Sequence, residues 1–163
     1  MIMQSTTMAN QLTLEDLELG QVFRSQSHTI DAAQIKTFAS QFDPQPFHLD
    51  EELAKKTFFG ELVASGWHVA AITMRLLITS TPIKGGLVGA GGDIRWLRPT
   101  RPGDTLQVET EVVEIKPSQS RTDRGTVTMR STTKNQEGKS VLVMTSKLVV
   151  PTRLAGLRNH QAT

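Results

Sequence analysis

Cysteine and tyrosine are absent from the 163 residues, and aromatic side chains make up only 5% of them. Without a thiol there is no disulfide framework, no cysteine nucleophile and no thiolate-held zinc or iron–sulfur centre. The absence fits a reducing compartment, with the cytoplasm as the expected location. Charge of one sign is lacking too: 18 Lys and Arg against 16 Asp and Glu leave a net charge of +2. With neither thiol nor phenol to titrate between histidine and lysine, that small surplus lifts the isoelectric point to about 9.2. A nucleic-acid surface needs clustered basic charge, which this balance does not supply, so no nucleic-acid partner is expected. No run approaches the roughly 18 apolar residues of a membrane span, so no membrane partner is expected either. The polar stretch Met1–Gln11 has neither the basic nor the apolar region of a secretory signal.

What is present suits one domain. Apolar residues at 37% and charged residues at 21% allow a buried core at a length typical of a single unit. Residues 1–16 read as a lead-in, 17–151 as the domain and 152–163, beyond Pro151, as a loose tail. Gln21–Ile30 alternates weakly and predicts a strand. Asp31 is a candidate N-cap for a helix over Ala32–Phe42, with Ile35, Phe38, Ala39 and Phe42 at helical spacing. Asp43-Pro44-Gln45-Pro46 predicts a stiff extended loop, because each proline pushes its predecessor out of helical geometry. Asp50 can cap a short turn carrying Glu51 and Glu52.

Leu62–Ser80 is the longest helical pattern and is apolar or small around most of its circumference, which predicts a central helix wrapped by other elements. After Pro82 the period changes. Strands are expected over Gly91–Leu97, Thr105–Ile115, Gly125–Thr133 and Val141–Val150, a meander punctuated by proline and glycine turns. One antiparallel sheet curled around one apolar helix gives an α+β fold. Gly85-Gly86 and Gly91-Gly92 lack the spacing of a phosphate loop.

Two stretches carry chemistry. In the first, Asp43 and His48 would point to different faces of a helix, but from an extended loop both can flank one cavity. A carboxylate and an imidazole that meet there can hold and activate a water. In the second, Ala64-Ser65-Gly66-Trp67, the first N–H groups of the long helix have no partner within it and can bind an oxyanion. Ser65 is a candidate N-cap, and Gly66 leaves room for a carbonyl to approach the bare N–H. Close helix–sheet packing is the alternative reading of Gly66, and packing or an interface is the favoured reading of His68, Trp67 and Trp96. His28 and His160 read as surface residues, and the arginines 95, 98, 101, 121 and 124 as solvated charges near strand turns.

Three strings together resemble the MaoC-like dehydratases, close to the (R)-specific enoyl-CoA hydratases. They are Asp43-Pro-Gln-Pro-Phe-His48-Leu-Asp50, Ala64-Ser-Gly66 and Trp96-Leu-Arg-Pro-Thr-Arg-Pro-Gly-Asp-Thr105-Leu, within a resemblance that spans residues 17–150. The resemblance implies a hotdog fold, a homodimer or higher homo-oligomer, and an acyl-CoA substrate handled without metal or redox cofactor. Coenzyme A would enter only as part of the substrate. It implies that Asp43 and His48 form the catalytic dyad, that Gly66 supplies the oxyanion N–H, and that the reaction is reversible addition of water across a trans-2-enoyl thioester to give a 3-hydroxyacyl thioester. Asp43 and His48 could each be base or acid. Gln45, Ser65 and Trp67 are candidate substrate contacts, and Arg121 and Arg124 candidate partners of the coenzyme A phosphates. The chain departs from the family where Gln45 replaces a frequent Asn, Ser65 a frequent His, and Met74 a serine, with Thr73 beside it as the available hydroxyl. A hotdog thioesterase and a non-catalytic acyl-CoA binder are the alternative readings.

Overall fold

The structure is a computed structural model and describes residues 11–156. Most of the expected lead-in, the end of the expected tail and His160 lie outside the described residues. Nine main elements follow in chain order: β1 (Val22–Thr29), α1 (Ala32–Phe42), α2 (Pro46–Leu49), α3 (Glu51–Ala54), α4 (Gly66–Ser80), β2 (Val88–Trp96), β3 (Thr105–Pro117), β4 (Arg124–Lys134) and β5 (Ser140–Pro151). The strands form one antiparallel sheet in the order β1-β3-β4-β5-β2. This is the hotdog fold, α+β, with α4 as the central helix.

The alternating strands bury one face against α4. Leu106 and Val108 of β3 and Val141, Leu142 and Met144 of β5 pack with Val69, Ile72, Leu76 and Leu77 of α4 in one apolar cluster. A second cluster, around Val112, Val127, Met129, Leu148 and Val150, is covered by Leu14, Leu17 and Ile83. Each such side chain taken fully out of water contributes roughly 1.5–3 kcal/mol before ordering entropy is subtracted.

Four local expectations are corrected. β2 does not continue a meander into β3. It pairs with β5 instead, at the far end of the sheet, so only β3-β4-β5 is a run of neighbours. The central helix begins at Gly66, not Leu62. Leu62 and Val63 are buried without being helical, and the Val63 and Ala64 N–H groups donate to the Phe47 and Thr100 carbonyls at 3.0 and 2.8 Å. Apolar residues just before a helix extend its pattern in the sequence without extending the helix. The stretch around the prolines is not wholly extended either. Pro46 opens the single turn α2, since a proline at the first helical position loses no hydrogen bond. Finally, the sheet leaves one stripe of α4 uncovered: Trp67, Met74 and Ile78 are exposed, beside the exposed edge strand β2.

One turn fixes the chain that borders the site. Gly103 takes φ +90°, open to glycine at little cost, and donates its N–H to the Ile30 carbonyl at 2.7 Å. The Asp104 carboxylate accepts from the Arg101 N–H at 2.8 Å, and the segment 97–104 is thereby held against the start of α4.

Candidate active site

Asp43 is the C-cap of α1, with its N–H donating to the Ala39 carbonyl. Its side chain faces the segment before α4. Oδ1 accepts from Gln45 Nε2 at 2.7 Å, and Oδ2 accepts from the Ser65 hydroxyl at 2.7 Å. Ser65 Oγ in turn accepts the Trp67 N–H at 3.2 Å, so the N-cap of α4 is also the anchor of the carboxylate. Partial burial pushes the Asp43 pKa up, but the Ser65 and Gln45 hydrogen bonds and the neighbouring His48 outweigh it and hold the carboxyl below its ordinary range.

His48 comes from α2 and is buried. Its Nδ1 lies 2.7 Å from the Val63 carbonyl oxygen. A carbonyl can only accept, so Nδ1 carries the hydrogen, and in the neutral imidazole Nε2 is the bare nitrogen. Nε2 stands 3.3 Å from Asp43 Oδ2. Phe47 meets the imidazole edge-on at a centroid distance of 4.5 Å and leans on Phe59 at 5.1 Å, which closes the apolar side of the site.

Asp43, Gln45, His48, Gly66 and Trp67 line one cavity of about 430 Å³, together with Phe47, Phe59, Trp96, Arg98 and Thr100. The N-terminus of α4 therefore opens into the same space as the carboxylate and the imidazole. Gly66 is the first residue of that helix, and its N–H is one of the donors without an intrahelical partner. A side chain there has no room: a Cβ at Gly66 would stand 2.7 Å from Trp96 Nε1 and 2.9 Å from Cε2. The Trp96 indole N–H donates to the Gly66 carbonyl at 2.7 Å.

Ser65 is fully buried and does not line this cavity, so the expected substrate contact is corrected to a support for Asp43. Arg121 and Arg124 are not brought to the cavity. Both pair with Asp123 in the β3–β4 turn. Thr133 lies in the Trp96–Leu142 register, and Arg124 lies roughly 30 Å from it along β4. Met74 sits about two turns further along α4, in a separate apolar crevice with Leu77, Leu87, Ile94 and Met144. Thr73 is fully buried and shares a 2.6 Å hydrogen bond with Thr133, so it does not stand in for a serine at the cavity. His68 stacks on Phe38 at 4.5 Å on the far side of α4, with its buried Nδ1 lacking a partner among the described residues.

Arg98, expected as a solvated charge near a strand turn, lines this cavity instead, and the Trp96–Gly66 hydrogen bond was not anticipated at all. The bonded pair is thirty residues apart in the chain, and no local pattern announces it. Among the described residues, no three His, Asp or Glu side chains gather closely enough to hold a metal ion.

The family model described as the MaoC-like domain matches residues 16–135. The crystal structure of a MaoC-like dehydratase from Rhodospirillum rubrum is 57% identical, covers 87% of this chain and 98% of its own, and superposes with a TM-score of 0.85. The uncharacterized protein YdeM of Bacillus subtilis is 34% identical over 85% of this chain and 97% of its own length. An (R)-specific enoyl-CoA hydratase of Rhodospirillum rubrum is 30% identical over 85% of this chain and 92% of its own length.

Proposed function

The chain belongs to the MaoC-like domain family, and from that premise we propose that it is an acyl-CoA hydratase, or the reverse dehydratase, acting on a trans-2-enoyl thioester. The observation that carries this reading is the convergence of Asp43, His48 and the Gly66 end of α4 on one cavity. The similarity to an (R)-specific enoyl-CoA hydratase supports it.

The proposed chemistry follows from the donors and acceptors. The thioester oxygen accepts from the Gly66 N–H, which draws electron density from the double bond and leaves C3 electrophilic. A water that donates one O–H to His48 Nε2 and the other to Asp43 Oδ2 presents its lone pair to C3. As the C–O bond forms, the double-bond electrons move to the thioester as an enolate, and one water proton passes to the dyad. With the carboxyl ionised and the imidazole neutral, the dyad holds no other transferable proton, because Nδ1–H is committed to the Val63 carbonyl. The proton delivered to C2 is therefore one taken from the water. Dehydration runs the same steps backwards. Backbone polarisation replaces a Lewis acid and no electron changes hands, so the proposal names no metal or redox cofactor, and coenzyme A takes part only as the substrate's thiol portion.

A second copy of this chain is the proposed partner. Among the described residues β2 ends the sheet with its outer edge unpaired, and the exposed stripe of α4 lies beside it. No helix among the described residues is long and apolar enough to cross a membrane. We place the protein in the cytoplasm, where coenzyme A thioesters are available.

Loss of enoyl-thioester ultraviolet absorbance on mixing purified protein with crotonyl-, octenoyl- and branched enoyl-CoA tests the reaction. Unchanged absorbance for all three with folded protein defeats hydratase chemistry on these acyl groups. Release of free thiol instead identifies a thioesterase, and saturable binding without change of the ligand identifies a carrier or sensor.

A further inference from the structure

We propose that Trp96 is a positioning residue of this site: its indole N–H holds the Gly66 carbonyl and thereby sets where the Gly66 N–H stands to receive the thioester oxygen. The inference rests on the role given to Gly66 above.

The first turn of α4 is held at two points. On one side the Ser65 hydroxyl joins it to Asp43 at 2.7 Å. On the other, Trp96 Nε1–H joins the Gly66 carbonyl to the sheet, also at 2.7 Å. Trp96 is a firm anchor. It is the last residue of β2, registered against Leu142 of β5, and the next backbone N–H, of Leu97, donates to the Val141 carbonyl at 2.9 Å. The ring is also packed edge-on to Trp67, at a centroid distance of 5.1 Å and 77° between planes. The contact with Gly66 is close enough to exclude any side chain there, since a Cβ would meet Nε1, Cε2 and Cδ1 at 2.7, 2.9 and 3.0 Å.

An oxyanion donor works only when it lies about 2.7–3.1 Å from the oxygen it stabilises. A displacement of about 1 Å can lower turnover by about a hundredfold. The indole limits such movement at the helix end. Trp96 is not itself an oxyanion donor, because its single N–H is committed to Gly66. Its contribution therefore appears in the transition state more than in ground-state binding.

The decisive variant is W96F, which keeps an aromatic ring and removes the N–H. The probe is butyryl-CoA, a saturated thioester with no double bond to hydrate, carrying an isotope-labelled carbonyl and read by difference infrared spectroscopy. In the wild type the bound carbonyl stretch is expected at lower frequency than in solution. In W96F it returns most of the way, with kcat on an enoyl-CoA about tenfold lower and KM within about twofold. A W96F protein that keeps both the displaced stretch and wild-type kcat overturns the inference and leaves the dyad untouched. A wild-type stretch that does not move on binding removes Gly66 as the donor, and the inference goes with it. Loss of turnover in dyad variants is judged separately. Should W96F fail to fold, the wild-type indole N–H signals, assigned with W67F and nitrogen labelling, decide instead. Slow exchange of the Trp96 N–H and a shift on adding butyryl-CoA support the role. A rapidly exchanging, unresponsive N–H overturns it.

Discussion

Asp43 Oδ2 and His48 Nε2 face each other at 3.3 Å, and with the imidazole neutral both atoms are acceptors. The ring's one proton in the neutral state is on Nδ1 and given to Val63, while the carboxyl is held ionised by Ser65 and Gln45. Two lone pairs at that distance repel unless a donor stands between or beside them. A water giving one O–H to each satisfies both, as the proposed hydration requires.

Replacing either member should stop turnover without unfolding the chain. In D43N the new amide N–H can donate to His48 Nε2 and occupy the lone pair the water needs. In H48Q the imidazole is lost from a pocket that glutamine fills in part. Each is expected to lower kcat by about 10²–10⁴, with melting temperatures within a few degrees of wild type. Wild-type rates in both variants, measured by enoyl-CoA absorbance, would remove the dyad from the mechanism.

Ser65 links the carboxylate to the helix, so S65A should have two readouts. The lost hydroxyl bond lets the Asp43 pKa rise, and the acid limb of the kcat/KM profile moves to higher pH. The lost cap lowers stability by about 1 kcal/mol. The sign of the linkage follows from the lowered Asp43 pKa. Its stabilising share is complete above the ordinary carboxyl range and is lost as pH falls through the folded value. S65A therefore shrinks the gap in stability between neutral and acidic pH. An unmoved acid limb in a folded S65A protein, followed by urea melts across pH, contradicts the coupling.

The strands were readable because period-two apolar patterns record which face is buried, as Val127 and Met129 of β4 show. Asp43 and His48 were readable because five residues and two prolines fix them locally. Their actual supports were not. α2 looked like loop because Pro46 reads as a breaker, although at a first helical position it is compatible with the turn. Sheet order was illegible beyond the hairpins, since β2 meets β5 only after two intervening strands. Arg121 and Arg124 looked available for phosphates because the sequence cannot show that Asp123 turns back between them.

His68 gives a second pH effect, opposite α4 from the dyad. Burial lowers its pKa below the usual 6.5, and the charge of nearby His28 lowers it further. Its buried Nδ1 has no partner among the described residues, and the ring lies flat on Phe38, 3° from parallel. Protonation therefore opposes the fold. The stability tied to neutral His68 is fully present above about pH 6.5 and is lost as pH falls through the lowered folded value. H68F keeps the stacked ring and removes the titration, so its melting temperature should fall less than wild type between pH 7 and 5. Parallel curves for the two proteins would show that His68 does not carry this dependence.

The uncovered stripe of α4 makes the strongest demand on assembly. Ile78 is 52% exposed and Met74 42% exposed, and Trp67 at 59% borders the candidate active-site cavity from the same helix. Each large apolar side chain left in water forgoes roughly 1.5–3 kcal/mol of burial, and a second copy paired along β2 would recover part of it. Light scattering at micromolar concentration should give about twice the 17.9 kDa chain mass. I78R places a charge in the proposed contact. It should shift the mass to the monomer and lower turnover in step, because in the proposed dimer the partner would complete the cavity that the exposed Trp67 borders. A wild-type monomer sinks the assembly outright. An I78R dimer of normal activity moves the contact elsewhere on the surface, and a fully active I78R monomer shows that one chain alone encloses the reaction.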